Sequence, residues 1–356
     1  MKIKKGYLPI ALVVILSSLL LVNSPAFSQG TPLETKLYNE AKKEGRLNWW
    51  DTLSLKEAAQ FIKAFEKKYP GVKVNFFEGT VDVLEEKYLA EHAAGRHTAD
   101  HIQIDLYKRF KDKGLMQDLS ELQKDTGYSK KFFSQSMDAV CYEHTVYGVA
   151  YNTKKLSPEQ VAHSYEELLD PRFKGKINVE SRMKMFITLT PAWGEEKVID
   201  YLERLKLQNP TFTKGTTHTL TLLGAGEFPI GVGMSIHGML KIKRRGAPLA
   251  MMPISPLADK LSPHIVMTDA PHPNAAKLFT HWIISKEGQL FMDKVRRKGS
   301  PLPGAGTSQS KLVEEMGLDV VTAVTWDMNF GGLQEKYEKA IGFTKSKLKG
   351  KKKKKK

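Results

Sequence analysis

The residues able to do chemistry in this chain are scattered hydroxyls, one carboxylate, one guanidinium and one imidazole. Most lie in or just after a run that reads as a β-strand, and the rest at a turn that opens a helix. Thr52 and Ser54 follow the apolar run 47–50. Ser54 and Glu57 have S-x-x-E spacing, so Ser54 caps a helix whose first N–H groups also suit an anion. Gly79 and Thr80 end the β-branched and aromatic run 72–77 and open another helix. Glycine there lets backbone approach a ligand closely, although a plain strand–helix turn reads the same way. Asp105 ends a third run, placed to meet a cation or a ligand hydroxyl, or to cap the helix that follows. Tyr151 lies in the run 148–152. Ser181 and Arg182 follow Ile-Asn-Val-Glu at 177–180, and Arg182 suits a bidentate clasp of carboxylate or phosphate. Thr216 and Thr217 follow Gly215 at a helix start that resembles a nest of backbone amides. Ser235 and His237 follow the run 228–232. Such groups bind a small polar or anionic solute.

They do not make a catalytic set. The chain has no G-x-S-x-G, no H-E-x-x-H and no G-x-x-x-x-G-K-[ST]. His264 and His272 flank a strand with no nucleophile beside them, and Gly304-Ala305-Gly306 lacks the context of a dinucleotide fingerprint. No His/Cys/Asp spacing reads as a zinc site, so neither metal nor cofactor is expected. The single cysteine, Cys141, sits among apolar residues and reads as a small buried side chain. The net charge is +16 over 356 residues. Seven lysines from Lys349 onward and three in the leader supply ten of these charges, leaving +6 for the body. That is too diffuse for nucleic acid, and no aromatic-interleaved basic motif is present.

The elements that must position these residues alternate strand with helix. Residues 46–80 form a βαβ unit: a strand, a helix with Leu55, Ala58, Ile62, Phe65 and Tyr69 on one face, a stop at Pro70-Gly71, and a second strand. The two strands should be parallel, with ligands at their carboxyl ends. Helices are expected at 33–45, 81–96, 107–114, 195–208, 216–224, 274–284 and 333–341. Further strands are expected at 98–105, 148–152, 177–180, 228–232 and 249–253. Residues 120–145 resist assignment, and 299–310 reads as loop. Residues 1–28 read as a cleavable signal peptide, which places the mature chain in the periplasm. The lysine-rich end from 345 has no apolar face and reads as disordered.

Several stretches, taken in order, carry a resemblance. They are AKKEGRLNWWDTLS with FIKAFEKKYPGVKV, AEHAAGRHTADHIQID with FKDKGLMQDLS, YGVAYNTKKL, SYEELLDPRFKGKINV, LLGAGEFPIGVG, KRRGAPLAMMPISP and APHPNAAKLFTHWIISKEGQ. Over residues 33–345 the chain resembles the solute-binding proteins of bacterial ABC importers, and more narrowly the type II group that includes ferric-ion-binding proteins. The resemblance implies an α/β fold of two lobes with mixed, mostly parallel sheets and a ligand cleft between them. The first crossing should lie near 147–152, with Tyr151 beside the hinge, and the return near 264–269. The lobes would be 29–148 plus 266–310, and 149–265 plus 311–344. Closure around a small-molecule or ion ligand would present the protein, as a monomer, to an inner-membrane permease. The expected solute is an anion or an anion-complexed metal; ferric ion is the alternative. A secreted α/β hydrolase and a sensor domain are the remaining readings. The ferric relatives carry an adjacent tyrosine pair near residues 231–238. Here that stretch holds none, so bare ferric ion bound by tyrosinate is not expected.

Overall fold

The βαβ unit forms as the sequence implies. In a computed structural model describing residues 30–323 and 330–348, β1 (Arg46–Asp51) and β2 (Lys73–Glu78) pair in parallel from Arg46↔Lys73 to Asp51↔Glu78. The helix Leu55–Lys68 between them buries Ala58, Phe61 and Phe65, and its C-cap Tyr69 is buried too. The buried stripe is rotated from the expected one, since Leu55 is 64% exposed at the helix start. Trp49 and Trp50 point to opposite faces of β1 and enter two separate apolar clusters. The expected leader, 1–28, lies outside the described residues.

The remaining strands are β3 (His101–Gln103), β4 (Val140–Asn152), β5 (Ile177–Glu180), β6 (Thr211–Thr213), β7 (Ile230–Ser235), β8 (Leu249–Met251), β9 (Leu257–Val266) and β10 (Val320–Ala323). They form one hydrogen-bonded sheet of order β2-β1-β3-β9-β4-β7-β5-β6, with β8 on β4 and β10 on β9. Parallel pairs occupy the two ends, and antiparallel pairs centre on β4 and β9. Two clusters flank the β2-β1-β3 half, and two others flank the β7-β5-β6 half.

β4 and β9 are the strands common to both halves. They pair antiparallel from Val140↔His264 to Tyr147↔Ala258. β9 meets β3 at His264–Val266. Pro263 hid the earlier part of this strand in the sequence, because proline normally argues against a central strand. It sits opposite Cys141, where a bulge in β4 shifts the register. Residues 120–145 resolve into the helix Ser120–Thr126, a short 3-10 turn and the first part of β4. The stretch 299–310 is loop only to Thr307, which caps a helix Ser308–Met316. Cys141 is buried, and burial pushes its thiol pKa well up. The chain is ordered past 345: Lys345–Lys347 makes a 3-10 turn, and Leu348 bridges to Phe212. Leu348 also packs on the apolar cluster that includes Phe212. The tail from 349 lies outside the described residues.

Strand direction now defines a cleft. β3 runs antiparallel to β9, and β7 antiparallel to β4, while β1, β2, β5 and β6 run parallel to their neighbours. The carboxyl ends of β1–β3 therefore face those of β5–β7. β3 ends level with His264 and β7 level with Ala258. Six residues of β9 separate those levels, about 20 Å at the usual rise per residue.

Candidate functional site

The cleft floor is one face of the β4–β9 ladder. Directly opposed residues share a face, so Glu143 with Ser262, Thr145 with Lys260, and Tyr147 with Ala258 point the same way. The other face buries His144, whose Nδ1 lies 2.7 Å from Asp259 Oδ2. On the floor Glu143 binds Arg296, and Lys298 Nζ lies 3.1 Å from its Oε2. Burial alone would raise the Glu143 pKa. Arg296 and then Lys298 outweigh it and hold the carboxyl well below the usual range. Arg296 Nε also reaches to 3.5 Å from Glu57 Oε1 beside β1, so one ion network ties the floor to the first wall.

The β1–β3 ends form that wall. Thr52 Oγ1 donates to Gln103 Oε1 at 2.7 Å, joining the ends of β1 and β3. Ser54 accepts the Glu57 N–H at 3.4 Å, and Leu55 N–H donates to Glu78 Oε2 at 2.9 Å. The anion seat expected at this helix is thus filled by the chain's own Glu78, and Ser54 serves as a cap. Gly79 donates its N–H to Asp51 O, and Thr80 caps the helix Val81–Ala93 without a side-chain bond. Asp105 is exposed. Its N–H and that of Leu106 both donate to buried Glu85, and its carboxylate makes no hydrogen bond or ion pair among the described residues.

The opposing wall is more basic. Glu180 Oε1 accepts from Arg182 Nε at 2.7 Å and from Gly215 N–H at 2.8 Å, joining the end of β5 to the helix Thr216–Ala225. Gly215 (φ 96) is the N-cap and supplies no side chain, leaving half-buried Thr216 and exposed Thr217 in an uncapped first turn. Ser181 is buried and donates its N–H to Thr213 O at 3.0 Å. Ser181, Arg182 and Lys214 border a pocket of about 390 Å³ that Glu338, Phe343 and Lys345 close from the far side. Ser235 ends β7 rather than following it. Ser235 Oγ, His237 Nδ1 and Thr213 Oγ1 are buried without hydrogen-bond partners among the described residues. Burial, then Lys298 and Lys241, push the His237 pKa well down, so its ring is neutral.

Three groups in the cleft escaped sequence reasoning. Lys184 opens the helix Lys184–Trp193, whose N-cap Met183 gives no side-chain cap and sits at φ 54. Burial, then Lys260 and Arg182, lower its pKa to about 8, while Glu180 and Asp105 oppose the shift. Its ammonium makes no hydrogen bond or ion pair among the described residues. Lys260 lies on the floor, and so does Tyr147, whose pKa burial raises while Arg182 opposes it. Tyr151 lies on the same face of β4 as Tyr147 but four residues farther from the first half. It packs in the core of the β7-β5-β6 half, opposite Ile230. Tyr147, which belongs to the same apolar cluster, is the tyrosine of this face that lies level with the end of β7.

The bacterial extracellular solute-binding protein family matches over residues 60–315. An uncharacterized protein of Haemophilus influenzae is 30% identical over 154 residues, 40% of this chain and 44% of that protein. The chain therefore aligns with less than half the length of that relative. Among solved structures, a Trichodesmium protein (IdiA, FutA) in complex with iron and citrate superposes with a TM-score of 0.68 at 20% identity. It covers 84% of this chain and 100% of its own. The periplasmic binding protein AfuA of Actinobacillus pleuropneumoniae, with fructose-6-phosphate bound, gives 0.56 at 23%, covering 84% and 97%. At these identities the two structures speak to fold alone, which is the type II periplasmic-binding-protein fold. With the family matching most of its length and strand ends converging on one cleft, this chain belongs to the bacterial extracellular solute-binding proteins.

Proposed function

We propose that this chain is the periplasmic solute-capturing component of an ABC importer, and that its solute is a small anion such as a phosphate monoester or an organic carboxylate. The carrying observation is Lys184, a largely buried ammonium with Lys260 and Arg182 as neighbours and no carboxylate in contact. A buried unpaired charge is costly, and an anionic solute supplies what the wall lacks. Arg182, the uncapped turns at Thr216 and Met183, and the unpartnered Ser235 and Thr213 hydroxyls would complete its oxygen contacts. Thr52, Thr80 and Asp105 would meet the solute's neutral hydroxyls from the other wall. Closure about β4 and β9 would bury it, and the closed form would be read by a membrane permease. The Actinobacillus protein holds a sugar phosphate, a solute of this class.

A second reading is ferric ion carried with an anion. It is supported by the unpaired Asp105 carboxylate at the cleft and by the Trichodesmium complex, which holds iron with citrate. Calorimetry on mature protein, freed of co-purified solute by unfolding and refolding, separates the two. The probes are fructose 6-phosphate, inorganic phosphate, citrate and ferric citrate. Binding of an iron-free anion that weakens at least tenfold in Lys184→Met supports the first reading. Binding of ferric citrate alone, unchanged in Lys184→Met, overturns it in favour of the second.

A further inference from the structure

The helix Val81–Ala93 starts at the cleft with Thr80. Its far end, about 18 Å away at the helical rise per residue, carries a cluster that takes no part in solute capture. Gly95 (φ 68) turns the chain back after the helix, bringing His97 beside His92 with ring centroids 5.8 Å apart. Asp269, just beyond β9, meets both rings. His92 Nδ1 lies 2.7 Å and His97 Nδ1 2.5 Å from Asp269 Oδ2. The other oxygen, Oδ1, accepts the Tyr88 hydroxyl at 2.6 Å, and Tyr88 is only 1% exposed. The carboxylate is therefore fixed from behind by a buried phenol and offers its front oxygen to two imidazoles. The side chains of His92 and His97 are 36% and 41% exposed, so the front of the cluster is open to water.

We propose that His92, His97 and Asp269 bind a divalent transition-metal ion of the zinc class, at a site separate from the solute cleft. Two imidazole nitrogens and a carboxylate oxygen are a suitable donor set, and the open front leaves a coordination position for water. Among the described residues this is the one place where three such donors converge within 4.8 Å. Tyr88 holds the ligating carboxylate from outside the coordination sphere, the role that orients metal ligands in protein sites. Metal–donor bonds of about 2.0–2.1 Å at tetrahedral angles set donors roughly 3.3 Å apart. The two present separations are shorter by less than an ångström, and both rings are exposed enough to swing outward by that amount. The sequence concealed this site because Asp269 lies 172 residues after His97. No local spacing rule brings the three together.

The test uses the full mature chain, stripped with EDTA and titrated with ZnCl2 by calorimetry and with CoCl2 by visible absorption. One equivalent is expected, with a low-symmetry cobalt spectrum of mixed nitrogen and oxygen donors. His92→Gln and His97→Gln keep a hydrogen bond to Asp269 but remove a ligand. Each should weaken zinc at least tenfold while leaving the thermal midpoint of the metal-free protein and its anion binding unchanged. Asp269→Asn should weaken zinc similarly. Absence of zinc uptake by the unaltered chain, or uptake of equal affinity by both glutamine variants, overturns the proposal.

Discussion

Raising pH should weaken solute binding through Lys184 in a calculable way. Burial, then Lys260 and Arg182, lower its pKa from 10.5 to about 8 in the ligand-free protein. A bound anion supplies the missing counter-charge and moves that pKa back toward its ordinary value. At pH 7 the amine is mostly charged with or without ligand. At pH 9 the ligand-free amine is about nine-tenths neutral, so binding must take up nearly one proton, and affinity falls about tenfold between the two. The sign for stability is opposite. The folded, ligand-free state prefers the neutral amine, so the unfolded chain binds more protons, and this group adds stability as pH rises from 8 toward 10.5. Lys184→Met isolates both effects. It should flatten the affinity profile, and it should remove this part of the rise in unfolding midpoint. Calorimetry with fructose 6-phosphate suits the assay, because its phosphate stays dianionic above pH 7, its second pKa being about 6. Equal affinity at pH 7 and 9, or the same decline in Lys184→Met, would refute the assignment of Lys184 as the solute's counter-charge.

Three further outcomes follow from single contacts. Glu143→Gln leaves Arg296 and Lys298 buried without their shared carboxylate, and should cost about 3–5 kcal/mol in urea unfolding. Gly288→Ala would set a Cβ 2.0 Å from Trp282 O and 2.6 Å from Ile283 Cα, both backbone atoms that cannot swing aside. It should cost about 3 kcal/mol by chemical denaturation. Cys141 is fully buried with a thiol pKa pushed up by that burial, so thiol reagents should label it only in denaturant. Labelling of the native protein at the unfolded rate would show that the β4 bulge opens.

The fold was legible wherever a local pattern matched its burial. Ser54, the apolar stripe behind it and the β-branched run after Pro70 specify a βαβ unit with little outside help. The part of β9 before His264 was not legible, because Pro263 is tolerated only at the bulge opposite Cys141, and the bulge belongs to the partner strand. The helix Lys184–Trp193 was missed for a similar reason. Pro191 lies inside it, and its N-cap is a methionine in a left-handed conformation rather than a serine or aspartate. The strand ends that converge on the cleft could be found one at a time, since Thr52, Thr80, Arg182 and Ser235 each lie at or within two residues of a strand end. Tyr151 and Tyr147 lie four residues, two strand repeats, apart on one face, and only the register with β7 and β9 tells which of them lies level with the floor residues.

What the sequence could not reveal is which charges remain uncompensated, and that decides the ligand. Glu57, Glu143, Arg296 and Lys298 meet from the start, middle and far end of the chain and neutralise one another. Arg182 is paired with Glu180 two residues away. Lys184, two residues farther on, has lost much of its water without gaining a carboxylate. A uniformly basic cleft would attract any anion, and weakly in salt. Here the compensated network leaves a localised shortage of negative charge beside uncapped helix starts, and a localised shortage selects by position as well as by sign. That arrangement suits a compact phosphate or carboxylate group whose oxygens reach Lys184 and the backbone amides together. A bare trivalent cation would add to the positive charge at that point unless an accompanying anion arrived with it.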